Sequence, residues 1–437
     1  GVMTVPQQES GMEGTKTQLN LSNYLINDKQ NQISFFKHGY KNYKNFAKET
    51  RKITFENSFD FGNRTVIDLN KSGRYGDYVT NVSLEVELPD LSGASIGSKG
   101  VGYCNVIGHA LIESMELKIG GHLIDRHSDM WADFAGELFI GSGTQSVYND
   151  SIKKYADTNY IWNNFQGGTI IIPLHFWFCN YGSGSNNTFI LPLAALYNTT
   201  IEFIFKLRGI NDLIRIQDDG VGNLTSTSYS ITSASLIVDY IILEEESREI
   251  LLEKDITMPF IITQIQEHKF EIEASATSKV VTTKELRYPV SELLWAIRRN
   301  DAITNNEYFK YGDTLSTITN NPILRMSIKF EGKDRLPELS GDYFSKLEPL
   351  KVHNTYPVGR HLHCYSFGID PENFAQPSGV CNFSDLHTVQ FPITLRSGLA
   401  SSMLHMFAIN YNVLQVRNGT ACLLHALSKS SPGQANI

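Results

Sequence analysis

The stretch ELKIGGHLIDRHSDMW, residues 116–131, gathers two histidines, two aspartates and a glutamate within one short run. His127-Ser128-Asp129 has the H-x-D spacing that supplies two ligands of a facial metal triad, and His122 or Asp125 could add another. Such a triad also needs a distal histidine on a neighbouring strand, and the sequence singles none out. The same letters read more simply as a hairpin. Gly120-Gly121 is a two-residue turn that tolerates the positive φ of type I′, flanked by alternating apolar residues. On this reading the polar residues alternate outward, with Lys118, His122 and Asp125 meeting across the turn on a solvent face. The hairpin is the preferred reading.

A second candidate is His361-x-His363, which has the spacing that opens a cupin metal motif. The first acids after it, Asp370 and Glu372, lie beyond a turn, and Cys364 and Cys381 lack the spacing of a zinc knuckle. The run GSKGVG at 97–102 has neither the Gly-Lys-Ser/Thr ending of a phosphate loop nor a helix after it, and no G-x-S-x-G elbow occurs. No catalytic residue, metal or cofactor is assigned. Several sequons occur, including Asn81, Asn223 and Asn418; Asn81 opens a strand, and Asn223 and Asn418 are taken as candidate glycosylation sites.

The elements around these residues are mostly strands. NVSLEVEL, SMELKI and TIEFIFKL carry apolar residues with period two, separated by clusters such as PDLSGASIGSKGVG and NYGSGSNN. Helical periodicity is confined to DMWADFAGELF and SREILLEKD. The chain has 437 residues with 41% apolar content, enough for more than one core. Its 38 basic and 46 acidic residues give a net charge of −8, so no basic field attracts nucleic acid. Five cysteines without a CxxC pair suggest neither a disulfide framework nor a zinc site, and fit folding in a reducing compartment. The longest apolar run, IIIPLHFWFC, is about half the roughly 20 residues of a membrane helix. Residues 1–32 are polar and read as an arm.

The second half replays the first. MELKIGGHLID is echoed by MSIKFEGKDRL, and IIPLHFWFC through TIEFIFKL by RHLHCYSF through FPITL. LIVDYIILE is echoed by FAINYNVLQV, with Asp239-Tyr240 set against Asn410-Tyr411. Three echoes in one order imply two copies of a domain of roughly 200 residues. The first copy is expected over 33–244 and the second over 257–437, with 245–256 as linker.

The motifs ISFFKHGYKNYKNFA, FGNRTVIDLNKSGRYGDYVTNVSLEVELP, LIESMELKIGGHLIDRHSDMW, VDYIILEEESRE, QPSGVCNFS and NYNVLQV span nearly the whole chain. In that order they resemble the major capsid proteins of the nucleocytoplasmic large DNA viruses, the group of chlorella viruses and iridoviruses. Residues 300–322 match no part of that pattern. The resemblance implies an all-β fold of two tandem eight-stranded antiparallel jelly rolls with short helices in loops. It implies a homotrimer forming a pseudo-hexagonal capsomer that tiles an icosahedral shell, with no enzymatic activity. Implied partners are neighbouring capsomers, minor capsid proteins and an inner viral membrane, in a virion assembled in the host cytoplasm. Loops 90–102, 141–151 and 300–322 are the candidates for the outer face. Two rival readings follow from single features: a lectin-like glycan-binding sandwich using Tyr181 or Tyr356, and a bicupin-like metal enzyme using His361 and His363.

Overall fold

The computed structural model describes residues 46–424 apart from 56–58, 72–74, 180, 182–188, 218–219, 225–228, 253–256, 318, 358 and 375. The arm expected over 1–32 lies outside the described residues, as does most of the motif at 33–47.

The alternating apolar segments form strands. In the first half these are β1 Phe46–Thr54, β2 Arg64–Asp68, β3 Tyr78–Leu88, β4 Ser95–Ile96, β5 Lys99–Tyr103, β6 Ile112–Ile119, β7 His122–Ser128, β8 Gly168–Pro173, β9 Ile201–Leu207, β10 Ile214–Ile216 and β11 Ser233–Leu243. Period two buries Val82, Leu84, Val86 and Leu88 of β3 on one face and Ile201, Phe203, Phe205 and Leu207 of β9 on another. Two four-stranded sheets result, ordered β1-β11-β3-β8 and β2-β9-β6-β7, with a small accessory sheet β10-β5-β4.

The second half supplies β12 Met258–Ile272, β13 Ser278–Thr283, β14 Pro289–Arg299, β15 Ile323–Phe330, β16 Lys333–Ser340, β17 His363–Ser366, β18 Cys381–Asn382, β19 Val389–Leu395, β20 Ser402–Arg417 and β21 Thr420–Leu423. Its main sheets are β12-β20-β14-β17 and β13-β19-β15-β16, the first extended by β18 and β21. Set beside the first half, the two orders coincide strand for strand. Eight antiparallel strands in two facing sheets, connected in this order, make a jelly roll, and the chain contains two. The sequence echoes fall on matching strands: β6–β7 with β15–β16, β8–β9 with β17–β19, and β11 with β20.

A shared irregularity refines that match. In β3 the register against β11 slips between Asp239 and Tyr240, leaving Thr80 as the extra residue. In β14 the register against β20 slips between Asn410 and Ile409, leaving Ser291 extra. Aligned on these bulges, Tyr240 matches Asn410, one residue away from the pairing suggested by the letters.

The β12-β20-β14-β17 sheet is covered on both sides. Along β14, Leu293, Trp295 and Ile297 face the core of their own barrel, and Leu294 and Ala296 face the first barrel. Along β20, Met406 and Ala408 point one way and Phe407 and Ile409 the other. Burial on both faces explains why LLWAI and FAINYNV read as continuous runs and not as alternations.

Both expected helices form, at Asp129–Leu138 and Glu245–Leu251, the latter in the segment between β11 and β12. Residues 300–322 depart from the sequence reading. They begin with a short helix, Asn300–Thr304, and bury Ala302, Tyr308, Phe309 and Tyr311, so 300–312 is not an exposed loop, whereas Thr314, Ser316, Thr317 and Asn320 beyond it are exposed. The aromatic residues draw 300–312 inward despite its Asn and Thr neighbours. The loop at 90–102 contains the β4–β5 hairpin, and 141–151 contains a helix, Gln145–Ser151.

The Gly120-Gly121 turn has φ of 58° and 77°, as the hairpin reading requires. A Cβ on Gly121 meets nothing within 4 Å, whereas one on Gly120 would lie 2.7 Å from Thr199 Oγ1. Gly121→Ala is therefore expected to cost only the left-handed penalty, ~1 kcal/mol, with Gly120→Ala costing more. Urea unfolding of the two variants checks the order.

Candidate functional site

The polar residues of the hairpin divide between a partly solvated side, with Glu116, Lys118 and Arg126, and a covered one. Among them only His122 is fully exposed, while Asp125, His127 and Asp129 are buried. The register also differs from the simple turn: Lys118 pairs with Leu123, and a bulge separates this pair from Leu117–Asp125. That slip and the approach of the second barrel turn the covered polar side chains into the seam between barrels. The solvent-face reading of Asp125 is thus corrected.

His127 Nε2 and Asp125 Oδ2 lie 2.9 Å apart, with the His127 ring stacked on Phe176 at 4.6 Å. Asp125 Oδ1 accepts from the backbone N–H of Ile265 on β12 at 3.1 Å, and Gln264 donates to the Ile124 carbonyl. Asn412 of β20 in turn donates to Gln264 at 2.7 Å. Asp125 and the Ile124 carbonyl of β7 are thereby paired with the Ile265 N–H and Gln264 of β12 across the seam.

Beyond β7 the chain enters the helix Asp129–Leu138, with Ser128 as its N-cap accepting from the Trp131 N–H. Every residue of this helix is buried. Trp131 and Phe134 pack on Phe407 of the second barrel, with ring centroids 5.8 and 5.3 Å apart. Asp129, Asp133 and Glu137, spaced i, i+4, i+8, form a carboxylate stripe on one face. Asp129 Oδ2 receives Arg298 Nη1 at 2.7 Å from β14 and Arg208 Nη2 at 2.9 Å from the first barrel. Asp133 receives Arg360 at 2.6 Å, Lys154 at 3.0 Å and the Tyr311 hydroxyl at 2.9 Å. Glu137 receives Arg360 at 2.7 Å and is paired with Lys154.

Burial alone would raise the pKa of Asp129, but the Arg298 and Arg208 guanidiniums outweigh it and hold the carboxyl well below its usual range. Asp133 is shifted the same way, with burial opposed by Arg360 and Lys154. Both stay ionised at neutral pH.

Residues 300–312 form a second clasp. Asn306 donates to the carbonyls of Asn211 and Ile214, both at 2.9 Å, and the Tyr308 hydroxyl donates to Asp212 O at 2.8 Å. The Arg208 guanidinium lies over the Tyr308 ring, 4.0 Å from its centroid. The Thr355 hydroxyl lies 3.0 Å from the carbonyl of Leu138, the last residue of the buried helix, and 3.0 Å from that of Ile140 just beyond it.

The metal candidates are not brought together. His127 is paired with Asp125, and Asp129 is held by two arginines. His361 contacts Thr319 at 3.0 Å, whereas buried His363 lies between Trp295 O and Asn321 Oδ1. Asn223 and Asn418 are exposed, Asn418 in the β20–β21 turn; Asn81 is partly buried within β3 and contacts Asp239. Asp133, Glu137, Arg208, Arg298 and Arg360 were not singled out from the sequence. The D-x3-D-x3-E spacing inside an otherwise apolar helix was the available signal.

Two jelly rolls of equal topology, locked by a buried polar seam, define a tandem jelly-roll protein. Residues 34–244 match the family described as "Major capsid protein N-terminus", and residues 252–422 match "Large eukaryotic DNA virus major capsid protein". The chain belongs to this family of major capsid proteins of large eukaryotic DNA viruses. The major capsid protein of Paramecium bursaria Chlorella virus 1 is 26% identical over 447 residues, covering 90% of this chain and 95% of that one. That of Pyramimonas orientalis virus is 26% identical over 419 residues, covering 90% and 94%. Among solved structures, a chain of the PBCV-1 virus capsid quasi-atomic model superposes with a TM-score of 0.72 at 24% identity, covering 90% and 100%. The Faustovirus major capsid protein gives 0.70 at 12% identity, covering 89% and 93%.

Removing one partner of the seam leaves a buried charge unpaired. Asp129→Asn, which strands Arg298 and Arg208, is expected to destabilise the chain by ~3 to 5 kcal/mol in urea unfolding. The folded pKa of Asp129 lies below its unfolded value of about 3.9, so its contribution is complete above that pH and fades as pH falls below it. Acid titration of stability is expected to show a fall beginning near pH 4, with a shallower slope in Asp129→Asn.

Proposed function

We propose that this chain is the building block of an icosahedral shell, acting as a homotrimer with a pseudo-hexagonal outline and without catalytic activity of its own. The observation that supports this reading most directly is the locked pair of topologically equal barrels. A threefold operator acting on a rigid two-barrel subunit generates six similar barrels around one axis, which is the packing a hexagonal lattice needs. Rigidity matters here, because a hinged pair would lose the near-sixfold arrangement. The buried seam supplies that rigidity.

The described family relatives carry the name of major capsid protein, which supports placing this chain in the virion. Its proposed partners are two further copies in the trimer, neighbouring capsomers, minor capsid proteins and an inner membrane, with assembly in the host cytoplasm. A net charge of −8 argues against direct contact with the genome. Domain limits of 33–244 and 257–437, joined by 245–256, accord with the strand order, and the helix Glu245–Leu251 occupies that join. Asn223 and Asn418 are proposed as glycan acceptors on the strength of their exposure.

The glycan-binding alternative loses its two anchors. The Tyr181 hydroxyl is engaged with Ser83 Oγ and the Val82 carbonyl, both at 2.7 Å, and the Tyr356 hydroxyl donates to Leu362 O. Both rings pack against the core of their own protein.

Light scattering of the purified full chain is expected to give three times the monomer mass, and negative-stain images a hexagonal outline. A monomer at all concentrations, or a trimer with a three-lobed open outline, would overturn the capsomer reading.

A further inference from the structure

Among the described residues, one group of metal-ligating types converges outside the carboxylate stripe: Glu292, His353 and Cys364. One donor atom from each lies within 4.8 Å of the others. They come from three separate elements, β14, the end of the helix Glu348–Val352, and β17. Glu292 and Cys364 are buried, and the His353 side chain is fully covered. Leu294 on β14 is the register partner of Cys364, which places Glu292 and Cys364 on the same side of the sheet, toward the seam.

The cluster has the parts of a metal centre in two layers. His353 Nε2 lies 2.8 Å from Glu292 Oε1, while its other nitrogen, Nδ1, lies 3.1 Å from Glu372 Oε1. A carboxylate behind a histidine fixes its tautomer and orients the remaining nitrogen toward an ion. Glu372 is itself held by the Asn354 N–H at 2.9 Å. Glu292 Oε2 is buried without a hydrogen-bond partner, an expensive acceptor to leave unsatisfied in a sheet interior.

We propose that Glu292, His353 and Cys364 form a binding site for a divalent transition-metal ion of the zinc class, with Glu372 as the carboxylate behind His353. The donor set of one sulfur, one imidazole nitrogen and one or two carboxylate oxygens is of the type that selects zinc over magnesium or calcium. Zinc distances of about 2.3 Å to sulfur and about 2.0 Å to nitrogen and oxygen imply ligand separations of roughly 3.3 Å in a tetrahedron. The Glu292–His353 contact must therefore open by only about half an ångström. Burial keeps the Cys364 thiol protonated in the empty site, so binding releases that proton to solvent; two carboxylates and the resulting thiolate around one dication then leave a single net negative charge. An occupied site would tie the loop after the helix Glu348–Val352 to β14 and β17. The same loop carries Thr355, which caps the buried helix of the first barrel, so the ion would reinforce the seam.

The test uses the full chain, stripped with a chelator and titrated with CoCl2. One cobalt per chain is expected, with a thiolate-to-cobalt charge-transfer band in the near ultraviolet that Cys364→Ser abolishes and His353→Gln weakens. ZnCl2 is expected to displace the cobalt and raise Tm by several degrees. X-ray absorption at the cobalt edge of the wild-type chain needs no variant and should show one sulfur in the first shell. A shell of nitrogen and oxygen alone overturns the site. So does a band that survives Cys364→Ser but disappears when exposed Cys422 is replaced, which marks adventitious binding. Trimer formation is measured on the same samples, and its loss or retention bears on the capsomer reading alone.

Discussion

Everything else in this molecule depends on three carboxylates held against cations in a place that water barely reaches. Asp129, Asp133 and Glu137 occupy one face of a helix that is otherwise apolar, and cations from both barrels converge on them. Each ion taken from water costs several kcal/mol, which its partners must return. Here the return is spread over Arg208, Arg298, Arg360 and Lys154, so no carboxylate relies on a single contact. An apolar seam would hold the barrels together as tightly while permitting them to slide. Paired charges with defined hydrogen-bond geometry do not permit sliding, because a shift of a few ångströms strands an ion in a dry environment.

The second barrel accommodates this by giving one of its sheets two jobs. The β12-β20-β14-β17 sheet closes its own core with one face and presents Leu294, Ala296, Arg298, Phe407 and Ile409 to its neighbour with the other. Arg298 sits in the same stripe as Leu294 and Ala296, which puts a charge at the end of an apolar row. That position lets the guanidinium reach Asp129 while the aliphatic residues exclude water around it.

Much of the fold was legible in the letters. Period-two alternation marks β3, β6 and β9, and the Gly120-Gly121 pair marks the β6–β7 hairpin with the correct turn. The duplicated strand order was visible because turn chemistry and aromatic content survive in matching strands even where identities do not. The seam was not legible, for a definite reason. A polar residue on a strand signals solvent only if nothing else covers that face, and single-strand alternation carries no information about a second domain. Asp125 and Asp129 stand out in the sequence by chemical type alone, whereas their partners across the seam, Ile265 and Arg298, lie more than 130 positions further on. Residues 300–322 divide for the same reason: as a long Gly/Asn-type loop the stretch suggests exposure, which holds for Thr314, Ser316, Thr317 and Asn320, but buried Tyr308 and Tyr311 draw 300–312 inward. The Glu292, His353 and Cys364 group has no local spacing at all, since it exists only when β14, β17 and the intervening loop are folded.

The sheet shared between two cores makes the halves interdependent. Phe407 and Ile409 are apolar and Arg298 is committed to Asp129, so the second half, severed from the first, would present to water a surface that only its sibling can cover. Equal strand order therefore does not make the halves separable: the chain is a single indivisible unit, and excision of either half undoes both.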